Sequence, residues 1–419
     1  MEKTSTTDLS RISLSTQHMI DNSPRIAVVY DHLLTRYGGA ELVLQALLHA
    51  FPDAQLHTVI HNPKMTPWIL PHKITALFSA RWAPWFTVRE LLDPCLPFLV
   101  ESIDLSKYDI IISVTSSYAK GVITRPDQLH ISYILNTIRY LYEAQKSLAQ
   151  RHPLFNIWGI RTIAIFVQRY LRSWDLLASQ RPDVILTLSE LVQTRIKNTY
   201  QRDVAAVLTP PIPSHPLKIQ PNSQNRSYVL CISRLVEYKH IDTLLAACLK
   251  LQQKIIIAGT GRAEKMLQNS ANESIYIRKP QQSLKNCIAA AEAAGALCIF
   301  WGECSEAEKA ELHAVARVFC MPGIEDFGIT ALEALTYGVP VVISKHSGAA
   351  ELLRDGVHGV YIQTQDVDGV AAALKKACTK KFVTAQLTKT AAAYSETAFV
   401  RKIHNIVSQF YTKHVTIGD

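Results

Sequence analysis

Residues 322–337 read PGIEDFGITALEALTY and directly follow an apolar run that ends at Met321. This order predicts a strand, a loop with two glycines, and a helix that begins near Ile329. A helix start carries free N–H groups and a partial positive charge, so it favours an anion at the carboxyl edge of a strand. Glu325 in the loop and Glu333 one turn inside the helix can accept hydrogen bonds from the hydroxyls of a polyol. A helix cap beside a solvated glutamate is the alternative interpretation.

The same order of strand and helix repeats along the chain. Apolar strands are predicted at residues 25–30, 109–114, 131–135, 183–188, 228–233, 254–258, 297–301, 318–321 and 339–344. Helices are predicted at residues 39–51, 240–252, 305–316, 329–337, 366–376 and 397–414. Continuous apolar strands separated by helices are typical of a parallel sheet that is covered on both faces. The sequence therefore predicts an α/β protein with two doubly wound halves and a ligand crevice between them.

A proline-rich stretch, TPPIP at residues 209–213, is the best boundary between the two halves, and polar sequence follows it. The predicted organisation is a disordered tail at 1–24, an N-terminal domain at 25–208, a C-terminal domain at 209–395 and a final helix at 396–419. The tail lacks the apolar segment of a signal peptide. We expect the final helix to pack back on the N-terminal domain.

Composition excludes several classes of protein. The chain has 419 residues, is 48% hydrophobic and contains 16 Gly and 19 Pro, which excludes disordered and collagen-like chains. No apolar run reaches the roughly 18 residues that a membrane span needs. The net charge of +9 allows nucleic acid, an anionic membrane face or a phosphate-bearing substrate as partner. The eight cysteines form no C-x-x-C pair and several lie in apolar runs, which predicts reduced thiols and a cytoplasmic protein.

Two further motifs lie where strands are predicted to end. SRLVEYK begins at Ser233, and its Arg234 and Lys239 are side chains that bind a diphosphate, the first as a bidentate fork and the second as a point charge. Two surface cations are the alternative interpretation. YGGAE carries the paired glycines Gly38 and Gly39, which let backbone N–H groups approach a phosphate, although tight turns use the same residues.

Other patterns are absent or unspecific. No G-x-G-x-x-G follows either first strand and no G-x-x-x-x-G-K-[ST] occurs, which argues against a nicotinamide dehydrogenase and a P-loop NTPase. The D-V-D at residues 366–368 looks like a metal clamp, but it opens a predicted helix and is expected to be a cap. His57, His61 and His72 are expected in irregular sequence and lack metal-ligand spacing. We therefore expect no metal and no cofactor.

Together these motifs resemble glycosyltransferase family 4, the retaining enzymes of GT-B fold. The resemblance runs from about residue 25 to residue 361 and includes DHLLTRYGGAE, YAKGVITRPDQLHISY, IRYLYE, SRLVEYKHID, AGTGR, EDFGITALEAL and SGAAELLRDGVHG. Glu325 and Glu333 form an E-x₇-E pair in register with S-R-L-x-x-x-K, and this combination is highly specific. The chain is most similar to the bacterial branch that transfers mannose from GDP-mannose in O-antigen or capsule synthesis.

The resemblance implies two Rossmann-like domains with a donor cleft between them, and it implies a role for each motif. Arg234 and Lys239 would hold the donor diphosphate, and Glu325 would hydrogen-bond the hexose hydroxyls; these three are the implied catalytic residues. The implied donor-binding residues are Gly38 and Gly39 in a closing loop, Gly302 and Glu303 against the base, the backbone N–H groups of Phe327, Gly328 and Ile329, and Glu333 on the ribose.

The chain departs from the family at two places. Asn136 stands where the related enzymes usually have a histidine that faces the donor hexose, and Ser347 precedes Gly348 where two glycines are usual. An amide offers neutral donors and an acceptor, whereas an imidazole also carries charge. We therefore predict that Asn136 lines the hexose pocket and retunes the choice of donor or acceptor without abolishing catalysis. A degenerate, inactive paralogue is the alternative.

The resulting hypothesis is a metal-independent, retaining hexosyltransferase of surface polysaccharide or lipopolysaccharide synthesis. Its first candidate donor is GDP-mannose, and its acceptor is a glycan or a lipid-linked saccharide. The alternatives are a UDP- or dTDP-sugar donor in the same fold, or a non-catalytic sugar-nucleotide-binding subunit. No motif matches a nucleic-acid-binding protein, so nucleic acid is not an expected partner.

A basic amphipathic helix is predicted within residues 152–180. Arg161, Arg169 and Arg172 fall on one side of a helical wheel together with Gln168, beside large apolar residues. Such helices lie on anionic lipid, which predicts peripheral binding to the inner face of the cytoplasmic membrane. Residues 81–101, rich in Trp and Pro, are a possible second contact or acceptor wall. Ordinary core packing of the helix is the alternative.

Overall fold

The computed structural model describes residues 24–34, 38–69, 74–79, 93–142, 158–213, 226–271 and 274–418. They contain two parallel sheets of seven strands each, with helices packed against them. The predicted α/β architecture of two halves is therefore confirmed. All but the last residue of the predicted tail lies outside the described residues, and the predicted domain boundaries stay predictions.

The N-terminal sheet has the strand order β3-β2-β1-β4-β5-β6-β7. Its strands are β1 (Ile26–Tyr30), β2 (Gln55–His61), β3 (Ile74–Ser79), β4 (Ile110–Thr115), β5 (Leu129–Ile134), β6 (Val184–Thr187) and β7 (Ala206–Val207). The helices of this half are α1 (Gly39–Ala50), α2 (Leu96–Glu101), α3 (Arg139–Tyr142), α4 (Trp158–Ala178) and α5 (Glu190–Tyr200). Every residue of β4 and β5 is buried, as the unbroken apolar runs predict for central parallel strands.

The C-terminal sheet has the strand order β10-β11-β9-β8-β12-β13-β14. Its strands are β8 (Tyr228–Ile232), β9 (Ile255–Ala258), β10 (Ile275–Ile277), β11 (Cys298–Gly302), β12 (Ala316–Met321), β13 (Val341–Ser344) and β14 (Gly359–Ile362). The helices are α6 (Ile241–Lys250), α7 (Glu264–Ser270), α8 (Leu284–Ala293), α9 (Glu306–Val315), α10 (Ile329–Thr336), α11 (Val367–Thr379) and α12 (Thr384–Ala392). A last helix, α13 (Glu396–Gly418), ends the described chain.

Local capping explains several helix starts. Ser305 and Glu308 form a reciprocal capping box at α9. The Asp366 side chain accepts a hydrogen bond of 2.7 Å from the Gly369 N–H at the start of α11, so the D-V-D sequence is a helix cap. Its Asp368 pairs with Lys250 of α6.

The expectation that His57 and His61 lie in irregular sequence was wrong, because both belong to β2. The strand buries Leu56, Val59 and Ile60, and hydrogen bonds accommodate its two histidines. His57 Nε2 lies 2.9 Å from the Tyr108 hydroxyl, and His61 Nε2 lies 3.0 Å from a threonine hydroxyl. His72 lies outside the described residues.

The last helix packs against the N-terminal half. Glu396 at its start lies 2.5 Å from His49 Nδ1 at the end of α1. The Phe399 ring stacks on Tyr133 of β5, with ring centroids 6.4 Å apart. Because α13 follows the C-terminal sheet in sequence but contacts the N-terminal one, it joins the two halves a second time.

Helix α4 buries one face and exposes the other. Ala164, Leu171 and Trp174 are buried, and the Trp174 indole donates a hydrogen bond of 2.7 Å to Glu101. Gln168 was predicted on the same side of the helix as the arginines. In the structure it points inward and donates a hydrogen bond of 3.0 Å to the Tyr140 carbonyl. In the part of the chain that the structure describes, no helix is long and apolar enough to cross a membrane.

Candidate active site

Two loops meet at the carboxyl edge of the C-terminal sheet, one after β8 and one after β12. Gly323 makes this approach possible, because a Cβ there would lie 2.9 Å from the backbone of Lys239. The Lys239 ammonium forms an ion pair with the Glu325 carboxylate. The two side chains are only 13% and 14% exposed, so the pair lies in a partly desolvated pocket where its electrostatic interaction is strong.

Ser347 braces the loop that carries Glu325. Its hydroxyl accepts a hydrogen bond of 3.1 Å from the Glu325 N–H and donates one of 3.2 Å to the Gly323 carbonyl. The next residue, Gly348, donates its N–H to the Glu325 carbonyl at 3.0 Å. A Cβ at Gly348 would lie 2.2 Å from the Asp326 carbonyl, so only glycine fits. The departure from the usual two glycines therefore adds a hydroxyl that holds the glutamate in place.

Arg234 follows β8 and is exposed. Its guanidinium donates a hydrogen bond of 2.9 Å to the Tyr238 hydroxyl, within the same SRLVEYK motif. The AGTGR segment packs against the backbone of this motif at Leu235. Leu235 donates its N–H to the Thr260 carbonyl at 2.9 Å, and a Cβ at Gly261 would lie 2.2 Å from the Leu235 carbonyl. Backbone packing at Leu235 holds the motif in place, and Arg234 and Lys239 extend from it.

Two helix N-termini converge beside this pair. Gly328 (φ +91°) is the N-cap of α10, and Gly38 is the N-cap of α1 in the other half of the chain. A Cβ at Gly39 would lie 3.1 Å from the Ile329 side chain, so the two helix starts are in contact across the cleft. Helix starts in general carry orphan N–H groups and a partial positive charge, and at α1 the buried Glu41 carboxylate lies beside Gly38. The arrangement is suited to a multiply charged anion.

Phe327 and Glu333 are more deeply placed. Phe327 is buried beneath the loop, and Glu333 is 2% exposed. The Glu333 carboxylate lies 3.9 Å from the Lys309 ammonium of α9. Burial lowers the pKa of Lys309, but the nearby Glu333 and Glu306 outweigh it, so the pKa is raised and the lysine stays charged. Glu333 lies one turn inside α10, as predicted, and its carboxylate lies beside a charged lysine.

Gly302 and Glu303 lie at the carboxyl end of β11, two strands from β8. Gly302 (φ +82°) accepts a hydrogen bond of 2.7 Å from the Gly259 N–H, and Glu303 is exposed. The preceding Trp301 is buried, with the Arg278 guanidinium 3.9 Å from the centre of its ring. At this end of the strand, Trp301 and Arg278 are packed together, and Glu303 is the exposed side chain.

Asn136 lies at the end of β5 and reaches the C-terminal half. Its amide nitrogen donates a hydrogen bond of 2.6 Å to the Asp326 carboxylate, next to Glu325. Its amide oxygen accepts from the Thr137 N–H at 2.8 Å and from Arg195 at 3.2 Å. Sequence reasoning identified Asn136 but missed Asp326, Arg139 and Arg195. Arg139 lies in the IRYLYE segment and Asp326 in the EDFGITALEAL segment, and these two motifs were the available signals.

The structure thus brings most of the predicted residues to one cleft between two α/β domains. Similar structures are known: the chain superposes on sucrose-phosphate synthase from Thermosynechococcus elongatus with a TM-score of 0.61 at 16% identity, covering 93% of this chain and all of the other. An Anabaena protein, HepE in complex with UDP, superposes with a TM-score of 0.58 at 17% identity, covering 92% of this chain and all of the other. The protein therefore has the predicted GT-B fold.

A comparison with protein families matches the C-terminal half of the chain. Residues 217–398 match the family Glycosyl transferases group 1. A GDP-mannose-dependent alpha-(1-6)-phosphatidylinositol monomannoside mannosyltransferase from Mycolicibacterium smegmatis is 26% identical over 266 residues, which are 56% of this chain and 65% of the relative. A phosphatidyl-myo-inositol mannosyltransferase from the same organism is 40% identical over 143 residues, 32% of each chain. The matched regions thus cover less than two thirds of these relatives.

Proposed function

We propose that the protein is a retaining hexosyltransferase that takes its sugar from a nucleotide diphosphate. The observation that carries this proposal is the Lys239–Glu325 pair beside two converging helix N-termini. A cation and helix starts suit the diphosphate, and a carboxylate suits the hydroxyls of the hexose attached to it. A group 1 glycosyltransferase domain with this arrangement supports a transferase rather than a sugar-nucleotide-binding subunit, for which the paired catalytic groups would have no use.

The proposed reaction needs little covalent chemistry from the protein. As the bond between the sugar C1 and the phosphate oxygen breaks, negative charge grows on the diphosphate. In this proposal, Arg234, Lys239 and the N–H groups at the start of α10 stabilise that charge, and such electrostatic stabilisation is usually the largest contribution to catalysis. The departing phosphate oxygen takes the acceptor proton as the acceptor oxygen attacks from the same face. Closure of the cleft would limit hydrolysis of the donor.

Within this proposal, the remaining donor contacts follow the family pattern. Glu325 binds hexose hydroxyls, with the N–H groups of Phe327, Gly328 and Ile329 beside it. Glu333 accepts from the ribose, and the Lys309 ammonium lies 3.9 Å from its carboxylate. The base lies against Gly302 and Glu303, and Gly38 and Gly39 cover the phosphates.

GDP-mannose is the donor that we propose first, because two mannosyltransferases are among the similar proteins and the name of one specifies GDP-mannose. A UDP-sugar is the second candidate, since the similar Anabaena structure contains UDP. A panel of GDP-, UDP- and dTDP-sugars separates them through donor hydrolysis and the shift of the unfolding midpoint. We expect GDP-mannose to be hydrolysed and to give the largest shift. Absence of both signals for every donor would contradict the proposal.

Retention is tested on the sugar itself. In proton NMR of slow GDP-mannose hydrolysis, the α-anomer of free mannose should appear first, before mutarotation brings the two anomers to equilibrium. First appearance of the β-anomer would show inversion and refute the retaining mechanism.

We propose a glycan or lipid-linked saccharide as acceptor, reached at an anionic membrane surface. The outward face of α4 supports this surface: Phe166 and Ile163 are each 64% exposed and Leu177 is 68% exposed. Together with Tyr170 they form a stripe at helical spacing, beside the exposed Arg169 and Arg172. Exposed large apolar side chains next to arginines are typical of helices that lie in the interface of an anionic membrane. Residues 81–92 of the suggested second contact, with the side chains of Trp158 and Arg161, lie outside the described residues.

A further inference from the structure

We propose that Asp326 is a positioning residue, which fastens the N-terminal domain to the loop that carries Glu325. Its carboxylate accepts hydrogen bonds from Asn136 after β5, Arg139 in α3 and Arg195 in α5. These three donors and Asp326 are called the Asp326 clamp below. They come from three separate elements of one half of the chain and converge on a single side chain of the other.

The backbone of Asp326 also contacts the N-terminal domain. Its carbonyl accepts a hydrogen bond of 2.6 Å from the Ser189 hydroxyl, at the N-cap of α5. The Asp326 side chain is 26% exposed, so the clamp is screened less by solvent than a surface ion pair. Two guanidinium groups on one carboxylate also leave one excess positive charge at the cleft.

Arg139 links the clamp to the cationic motif on the other side of the site. Its guanidinium carbon lies 5.6 Å from the centre of the Tyr238 ring, a cation–π contact between the two domains. The Tyr238 hydroxyl in turn accepts from Arg234, and the neighbouring Lys239 pairs with Glu325. One arginine of the N-terminal domain therefore contacts both segments that carry the proposed catalytic residues.

Glu351 provides a second fastening point. Its two carboxylate oxygens accept hydrogen bonds of 2.8 Å from the N–H groups of Glu190 and Leu191, at the start of α5. An anion at a helix N-terminus is favourable, and this one comes from the opposite domain. The clamp and Glu351 thus hold α5 at two places and resist rotation of one domain against the other.

The clamp acts on catalysis through its neighbour in sequence. Asp326 follows Glu325 directly, and Gly348 packs against both. A shift of the N-terminal domain therefore moves the hexose-binding carboxylate. Displacement of a reacting group by about 1 Å can cost roughly 100-fold in rate, so a clamp of this kind affects turnover more than nucleotide binding.

The kinetic part of the test rests on the proposed hexosyl transfer, whereas its structural part does not. Asp326→Asn preserves the shape of the side chain and removes its charge, and Arg195→Gln weakens the clamp from the other domain. Asp368→Asn is the matched control, because Asp368 pairs with Lys250 inside the C-terminal domain. Thermal unfolding confirms that each variant is folded.

Three measurements define the expected result. For both clamp variants, kcat should fall by about tenfold or more, while the Kd for GDP and UDP changes by less than about threefold. Small-angle X-ray scattering should give a larger radius of gyration for both variants than for wild type and Asp368→Asn. The double variant should lose no more activity than the worse single variant, because both changes break one interaction.

A wild-type radius of gyration in both clamp variants would overturn the proposal, whatever the kinetics. Fully additive losses in the double variant would overturn it as well. If wild type uses no nucleotide sugar but the scattering difference is found, the proposed function fails and the clamp remains.

Discussion

Lys239 and Glu325 form an ion pair although 86 residues separate them in the sequence. Each is the proposed ligand of a different part of the donor, the lysine for the diphosphate and the glutamate for the hexose. Gly323 allows the two loops to touch, and Ser347 fixes the glutamate backbone. The pair therefore lies where the bond between hexose and phosphate must lie if the proposal is correct.

Replacement of Arg234 tests the stabilisation of charge on the leaving group. Arg234→Ala should lose about 2–4 kcal/mol of transition-state stabilisation, a fall of roughly 30- to 900-fold in kcat, because one preorganised cation is removed. Arg262→Ala is the control, since that exposed arginine pairs with Glu237. A rise in KM with an unchanged kcat would show that Arg234 contributes only to binding.

Transfer should proceed without a divalent metal. Arg234, Lys239 and the two helix N-termini supply the positive charge that a metal ion would otherwise bring to the diphosphate. The measurement is initial rate in EDTA against initial rate with added Mg²⁺ or Mn²⁺, and we expect equal rates. Activity that disappears in EDTA and returns with either metal would refute the prediction.

The exposed stripe of α4 should determine membrane binding. Phe166→Ser combined with Tyr170→Ser should lower the fraction that floats with phosphatidylglycerol-containing liposomes several-fold, because burying each such side chain contributes roughly 1–3 kcal/mol. Met266→Ser combined with Ile277→Ser is the matched control, since both side chains are exposed on the other domain. Equal flotation of wild type with anionic and neutral vesicles would contradict the membrane proposal.

A buried histidine should make stability depend on pH. His130 is fully buried beside Ser113, and burial, with smaller contributions from Arg181 and Arg202, lowers its pKa from 6.5 to about 3. A depressed folded-state pKa means that the contribution is complete above pH 6.5 and is lost progressively as pH falls towards 3. At pH 5.5 the loss is about 1.4 kcal/mol relative to neutral pH.

His130→Gln should remove this part of the pH dependence, while His346→Gln, a change at an exposed histidine, should retain it. Denaturant unfolding at pH 7.5 and pH 5.5 measures the difference for each protein. The same loss between the two pH values in His130→Gln and wild type would contradict the prediction.

The sequence predicted the parts of the fold that depend on local pattern. Unbroken apolar runs located β1, β4, β8 and β12, and the resemblance gave the residues around Glu325. Strand β2 was missed, because two histidines interrupt its apolar pattern and only the folded structure shows their hydrogen-bond partners.

The Asp326 clamp lay beyond sequence reasoning for a different reason. Asn136 and Asp326 are 190 residues apart, and their contact depends on how the two domains are oriented. Nothing in the local sequence around either residue indicates that orientation. The inward position of Gln168 has the same origin, since a helical wheel shows which residues share a side but not which side meets the domain.

The most direct test of the central proposal is turnover of the preferred nucleotide sugar by Glu325→Ala, with nucleotide binding measured in parallel. Glu311→Ala provides a matched control, because that glutamate is exposed on α9 and has no proposed contact with the donor. The Glu325 variant should bind the free nucleotide with nearly wild-type Kd and unfold at a similar temperature, yet show no detectable transfer. Wild-type turnover by a well-folded Glu325→Ala protein would contradict the assignment of this cleft as the donor site.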